Sequence, residues 1–400
     1  MASAISLPPY LTNITDYLEQ NEPKLWEWYY STKIKDEHTD SIRLELLKST
    51  YRIDPDSEST LYRTANNVAE HLQIQHPLTL YQAQQSQDIN ASLAYIPGEP
   101  HIIFYGPLLK NLRTNEVEAI IGHELYHFVL LELEQQRYFT ASQILSALAA
   151  DHQADTSHYE SARLFSLYTE IFCDRGALLA TDDFDVTISA LLKVFTGLDH
   201  INAQAYLKQS DEILTKVDKG SESTSHPENH LRTKALNIWF KDKDEDAIAK
   251  IIRGNISLSQ LNLLEKKEML LHTRTLLNLL LSYKWMRTDS VMAHARQFFH
   301  GNEESTKEDK ENLISSIKTI GKDIQKYFCY VLLDFSVIDP NLDDAPLSAC
   351  LMISEEIGLQ KHFYDIARKE LGLTKKKLDS TIKSAADIIE TLNKVESTDE

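Results

Sequence analysis

Between Ile120 and His127 the chain reads Ile-Ile-Gly-His-Glu-Leu-Tyr-His, and this octapeptide constrains the fold more than any other stretch. Val117, Ile120, Ile121, Phe128 and Leu131 place apolar side chains around it at helical spacing. Asn115, with Glu118 three residues on, reads as a capping box that starts the helix. His123 and His127 are four residues apart, so both imidazoles leave one face of that helix and can share one metal ion. Glu124 stands beside them, within reach of a water on such an ion. Two neutral nitrogen donors, a Lewis-acidic zinc and a carboxylate able to take a proton make a set with a chemical purpose. A chain built on it has to bring in a third ligand and leave one metal position open.

The surrounding sequence predicts a mainly α fold with a small antiparallel β-sheet, an α+β arrangement. Segments 78–83, 91–96 and 101–105 alternate as short strands, with a Pro-Gly turn at 97–98, and lie just ahead of the metal helix. An open edge of such a sheet can pair with an extended peptide. Helical spacing recurs at 59–74, 160–180, 186–195, 203–216 and 228–240, and from residue 258 onward the chain reads as wholly helical. The helix that holds the motif is expected to run on toward Gln136. Residues 151–159 read as a solvated acidic connection rather than a second metal site, and 219–225 as a flexible loop. Three parts follow: an N-terminal helical arm over 1–45, a metal-binding domain over 46–256 and an all-helical domain over 257–400. Trp26, Trp28, Tyr29 and Tyr30 in the arm are expected to pack onto the next domain. Residues 302–312 read as a charged joint and 395–400 as a frayed tail.

Charge narrows the partners. Sixty acidic against 41 basic residues give a formal net charge of -19, which repels phosphate and argues against nucleic acid or an anionic membrane. No segment is long enough to span a bilayer, and the first 20 residues do not read as a secretory signal. The three cysteines, Cys173, Cys329 and Cys350, are far apart and odd in number, which fits a reducing cytoplasm.

The third metal ligand is sought downstream. Glu170, with Asp174 one turn later on the same helical face, supplies a carboxylate ligand and a second carboxylate to orient a ligating imidazole. By spacing alone, a helix-surface Glu–Asp pair is an equally good reading. The arrangement of motifs adds to this. An Asn-Ala-Ser at 90–92, Gly106, the His123–His127 motif, the run Glu170-Ile-Phe-Cys-Asp-Arg175 and the run Ser225-His-Pro-Glu-Asn-His-Leu-Arg232 occur in one order. In that order they resemble the HtpX and CAAX-prenyl-endopeptidase family of zinc metallopeptidases, over roughly 43–236. The resemblance implies a zincin-like (gluzincin) catalytic domain with one zinc per chain held by His123, His127 and Glu170. It implies Glu124 as general base, Asp174 as the carboxylate behind a ligand, and His226 and Arg232 as catalytic residues, the His steadying the oxyanion. Cys173 replaces the alanine common at that position, and no spanning helix is visible, which points to a soluble branch.

Residues 330–345 resemble the acidic helix–loop–helix of TerB-like domains, with the likeness extending over 310–392. The carboxylates in 339–344 read either as cation ligands or, at Asp343 and Asp344, as helix-capping residues. The function expected is a cytoplasmic zinc-dependent endopeptidase acting on a protein substrate, with a protein partner or regulator engaged through the C-terminal domain. The alternative is a non-catalytic zinc-binding adaptor or stress-signalling protein working through that domain.

Overall fold

The computed structural model describes residues 6–217, 219–298 and 306–396. The expected tail beyond Glu396 and residues 302–305 of the expected joint lie outside these. The chain divides into two compact units, Met1–Asn255 and Ile256–Glu400.

In the first unit, α1 (Pro9–Asn21), α2 (Pro23–Tyr30) and α3 (Thr32–Ser49) lead into β1 (Thr50–Arg52) and α4 (Ser59–His71). The strands β2 (Thr79–Ala83), β3 (Asn90–Ile96) and β4 (Glu99–Tyr105) follow. Then come α5 (Leu108–Asn111), α6 (Thr114–Ala150), α7 (Thr156–Thr181), α8 (Phe184–Thr196), α9 (Ala203–Lys216), α10 (Asn229–Lys241) and α11 (Glu245–Arg253). The sheet order is β1-β2-β4-β3. Only part of it is antiparallel as expected: β3 and β4 form an antiparallel hairpin, but β2 runs parallel to β4 because residues 84–89 carry the chain past one strand position to β3, and the hairpin then turns β4 back into the gap beside β2. The strand period of two then sorts the core. Ile102 and Phe104 face Leu80, Ala65, Ile120 and Ile121, whereas Ile103 turns to Tyr81, Ile96 and Leu46 of α3. The sheet therefore separates α3 from the metal-bearing helix α6, and β3 is left as an edge.

The motif helix is set by a different cap from the expected one. Glu116, not Glu118, reaches back to accept from the Arg113 N–H at 2.9 Å. Its carboxylate also accepts from Ser189 Oγ at 3.1 Å and from Lys193 Nζ at 2.9 Å, in a pair about 5% exposed on both sides. Burial alone would raise the Glu116 carboxyl, but the Arg113 N–H, Lys193 and Ser189 outweigh it and hold it below its usual value. Glu116→Gln strands the buried Lys193 charge, and an expected loss of ~3 kcal/mol follows from breaking one side of such a pair. Since the folded carboxyl titrates low, this contribution is present above the unfolded carboxyl pKa and disappears as pH falls through the folded one. Thermal melts of both proteins from pH 7 to pH 3 should converge at the acid end.

Helix α6 breaks earlier than expected. Leu133 leaves helical geometry, and Glu134, Gln135 and Gln136 take φ of 50°, 58° and 67°. Left-handed backbone costs about 1 kcal/mol or more at each non-glycine residue. Arg137 holds the far side of the break, donating to Glu19 at 2.9 Å and to Asp16 at 2.5 Å on α1. The aromatic cluster of the arm lies against α6 as expected, with Tyr30 Oη donating to Gln135 Oε1 at 3.4 Å, but at its surface: no residue of α2 is buried, and Trp28 is 57% exposed.

The second unit consists of α12 (Leu263–Leu280), α13 (Asp289–Ala295), α14 (Lys307–Ile317), α15 (Lys322–Val337), α16 (Ala345–Glu356), α17 (Gln360–Glu370) and α18 (Lys375–Glu396). Its own core gathers Leu276, Leu280, Phe328, Phe335, Cys350 and Phe363. In the acidic loop, Asp339 accepts from the Asn341 N–H at 3.0 Å, while Asp344 pairs with Lys377 at 2.5 Å and makes no side-chain cap to α16. Among the described residues, no helix is long and apolar enough to cross a membrane.

Candidate metal centre and its cleft

The two helices that carry the candidate ligands cross at glycines. A Cβ on Gly122 would sit 2.5 Å from Ala180 Cβ and 2.8 Å from Gly176 O, and one on Gly176 would sit 2.2 Å from the Tyr126 ring. That contact lets α6 and α7 approach closely enough for Glu170 and Asp174 to meet the motif histidines. Glu170 Oε2 lies 3.4 Å from His123 Nε2, and Glu170 Oε1 lies 3.5 Å from His127 Nε2. The third candidate ligand thus stands against both imidazoles.

Behind the ligands is a buried support. Asp174 Oδ1 is 3.2 Å from His123 Nδ1, the ring nitrogen turned away from Glu170. Arg232 holds Asp174 from the other side, Nε to Oδ2 at 2.9 Å and Nη2 to Oδ1 at 2.6 Å, and stands 3.6 Å from Glu170 Oε2. The guanidinium therefore serves the carboxylates rather than His226 or a bound peptide. The charges respond to this crowding. Burial lowers His127 to about 4, so its ring is neutral and offers a lone pair. Burial also acts to lower His123, but Asp174 and Glu170 outweigh it and raise the ring to about 10. Two buried carboxylates beside one Arg create a demand for positive charge that a cation between the ring nitrogens and Glu170 satisfies. Glu170 Oε2 is buried without a hydrogen-bond partner on the side facing the two rings. The donor set of two imidazoles and one carboxylate suits zinc.

Cys173 complicates this set. Its sulfur lies within 4.8 Å of a nitrogen on each of His123 and His127, so these three residues also form a group able to hold an ion. Glu170 is the better third donor. Its two oxygens already face both rings, whereas burial and the charges of Glu170, Glu124 and Asp174 hold the Cys173 thiol well above its usual value. Cys173→Ala is expected to keep zinc affinity within about threefold, while Glu170→Gln weakens it about 100-fold. Competition against a chromophoric chelator measures both. The reverse order would make sulfur the ligand.

Glu124 is 5% exposed and sits on the cleft side of the histidines. Burial pushes its carboxyl up to about 7, against the pull of His123 and the weaker pull of the nearby Leu93 N–H. Leu93 belongs to β3, so the edge strand and Glu124 line the same cleft. Glu132, five residues beyond His127, fastens the end of β3 by accepting from Tyr95 Oη and the Gly98 N–H, both at 2.9 Å. The cleft is about 760 Å³, with β3 residues 90–93 along one side. Ile120, Leu191, Val194 and Phe195 make an apolar wall, and His226 is on the rim. His226 is 53% exposed, with Nε2 3.5 Å from Glu170 Oε1 and Nδ1 2.9 Å from Ser225 Oγ.

All seven residues singled out from the sequence, His123, Glu124, His127, Glu170, Asp174, His226 and Arg232, gather around this cleft. Sequence reasoning missed the glycine crossing and the apolar wall. An isolated glycine at 176, inside an otherwise apolar helix, was the available signal for the first. The wall residues Leu191, Val194 and Phe195 carry no signal that separates them from ordinary core positions of α8.

Residues 55–239 match the sequence pattern of peptidase family M48. Over 230 residues, 52% of this chain, the sequence is 28% identical to the plastoglobule-localized metallopeptidase 48, chloroplastic, of Arabidopsis thaliana. The chain spans 64% of that relative's length. No solved structure matches the chain. From residue 55 to residue 239, the stretch that carries the whole cleft chemistry described above, this chain is similar to peptidase family M48.

Proposed function

We propose that this protein is a zinc-dependent endopeptidase of the M48 type, with the active site in the first unit. The observation that carries the reading is the convergence of His123, His127 and Glu170 beside a buried Glu124, next to the open edge of β3. Bound there, zinc supplies a Lewis acid that polarises the scissile carbonyl and acidifies a water. His127, neutral, and His123, aligned through Asp174, would hold the ion together with Glu170. Glu124 takes a proton from the attacking water and returns it to the leaving amine, for which a carboxyl raised toward neutrality is suited. An extended substrate pairs with the free edge of β3, which brings its carbonyl in front of Glu124. His226, on the rim of the cleft, donates to the oxyanion as it forms. Arg232 keeps Asp174 ionised and oriented and touches no reacting atom in this scheme.

The second unit, TerB-like in 310–392 by its sequence, recruits a protein substrate or a regulator. Three free cysteines suit a reducing cytoplasm. The adaptor alternative gives no role to a buried, proton-accepting Glu124 beside the ligands. Capture with Glu124→Gln tests the proposal: proteins retained by this variant should reappear as cut fragments with the wild-type chain. Retained proteins that wild type never cuts would favour the adaptor.

A further inference from the structure

His226 lies between the serine-rich run 219–225, which has no apolar side chain, and the buried Pro227. Composition predicts a flexible loop, yet the loop is bound from two sides. On one side its backbone lies against the end of α11: the Ser221 N–H donates to Ile252 O at 2.9 Å, and Lys219 bridges Gly254. Gly220 permits this approach, since a Cβ there would sit 2.4 Å from the Arg253 carbonyl carbon. On the other side stands Arg163 of α7. Its Nη1 donates to two loop carbonyls, Ser221 O at 3.1 Å and Ser223 O at 2.9 Å. Glu160 accepts from Arg163 at 2.7 and 2.8 Å, and from Arg253 at 2.6 Å, so the guanidinium is held from behind. Arg163 and Glu160 are 16% and 11% exposed, an ordered ion cluster rather than a mobile surface pair.

Arg163 precedes Glu170 by seven residues, about two helical turns on the same face of α7. One rigid helix therefore sets both a metal ligand and the carbonyls from which the loop reaches His226, three residues later. We propose that Arg163 is the positioning residue of His226, clamping the loop so that the imidazole stays at the mouth of the metal centre. This rests on the reading of His226 as oxyanion donor.

The test uses full-length protein with one zinc per chain and unstructured casein as substrate. Arg163→Met is expected to lower kcat about 10- to 100-fold with KM changed less than about threefold, the scale of a misplaced catalytic group. Arg163→Lys keeps a donor for the two carbonyls and should recover most of that loss. Added to His226→Ala, Arg163→Met should cost nothing more, because its effect passes through the imidazole. An equal further loss in the His226→Ala background, or a change in KM alone, overturns the proposal. Trypsin gives a readout that needs no peptidase activity: the bond after Lys219 should be cut about 10-fold faster in Arg163→Met, and an unchanged rate counts against the clamp. Arg163→Gln carries the same measurements should the Met variant fail to fold. Normal turnover of His226→Ala removes this proposal alone, whereas a wild-type chain that cuts no casein removes the peptidase reading itself.

Discussion

Glu124→Gln is expected to retain its zinc, its fold and its KM while losing roughly 10³- to 10⁴-fold in kcat. The substitution is close to isosteric and keeps an oxygen acceptor near the Leu93 N–H of β3. What it removes is the ability to take a proton from water and hand it to the leaving amine. Those transfers belong to the transition state, so the loss should fall on kcat rather than on substrate binding. Initial rates on unstructured casein, beside zinc content and thermal melts, measure the three quantities together. A variant that keeps a tenth of wild-type turnover would take the general-base role away from Glu124.

The largest expected loss of stability is at Arg232. Its guanidinium is 4% exposed, makes two hydrogen bonds to Asp174, lies 3.6 Å from Glu170 and faces the Phe195 ring at 5.8 Å. Arg232→Met keeps much of the side-chain volume but takes the guanidinium away from two buried carboxylates. Breaking one side of a buried pair in this way costs about 3–5 kcal/mol. Zinc affinity should fall as well, by about 10- to 100-fold, because Asp174 no longer aligns His123. Urea unfolding of the metal-free proteins isolates the first effect and chelator competition the second. A loss under 1 kcal/mol would show that the carboxylates are neutralised in some other way.

The parts of this molecule that could be read from its sequence are those in which local spacing and chemistry coincide. His123, Glu124 and His127 needed only a helix, whereas Glu170 and Asp174, by spacing alone equally well a helix-surface pair, were singled out by the order of the motifs. Helix α9 was legible to the residue, because Asn202 caps it and polar residues surround its apolar stripe. What could not be read depends on contacts between distant segments. Glu116 rather than Glu118 caps α6 because Ser189 and Lys193, on another helix, complete its environment. The parallel pairing of β2 with β4 follows from the chain path and leaves no mark on strand periodicity. The break at 134–136 involves Glu and Gln, ordinary helix formers, and Arg137 ties its far side to α1. Arg232 could be placed in the site from its motif, but its role as partner of Asp174 required the fold.

The central claim is that His123, His127, Glu170 and Glu124 form a hydrolytic zinc centre, and zinc titration tests it most directly. Chelator-treated protein receives zinc in fractions of an equivalent while hydrolysis of unstructured casein is followed. The account predicts no cleavage by the metal-free chain, a linear rise in rate up to one zinc per chain and a plateau beyond it. A chain that binds one zinc tightly and cuts nothing at any occupancy would contradict the account and leave the metal a structural role.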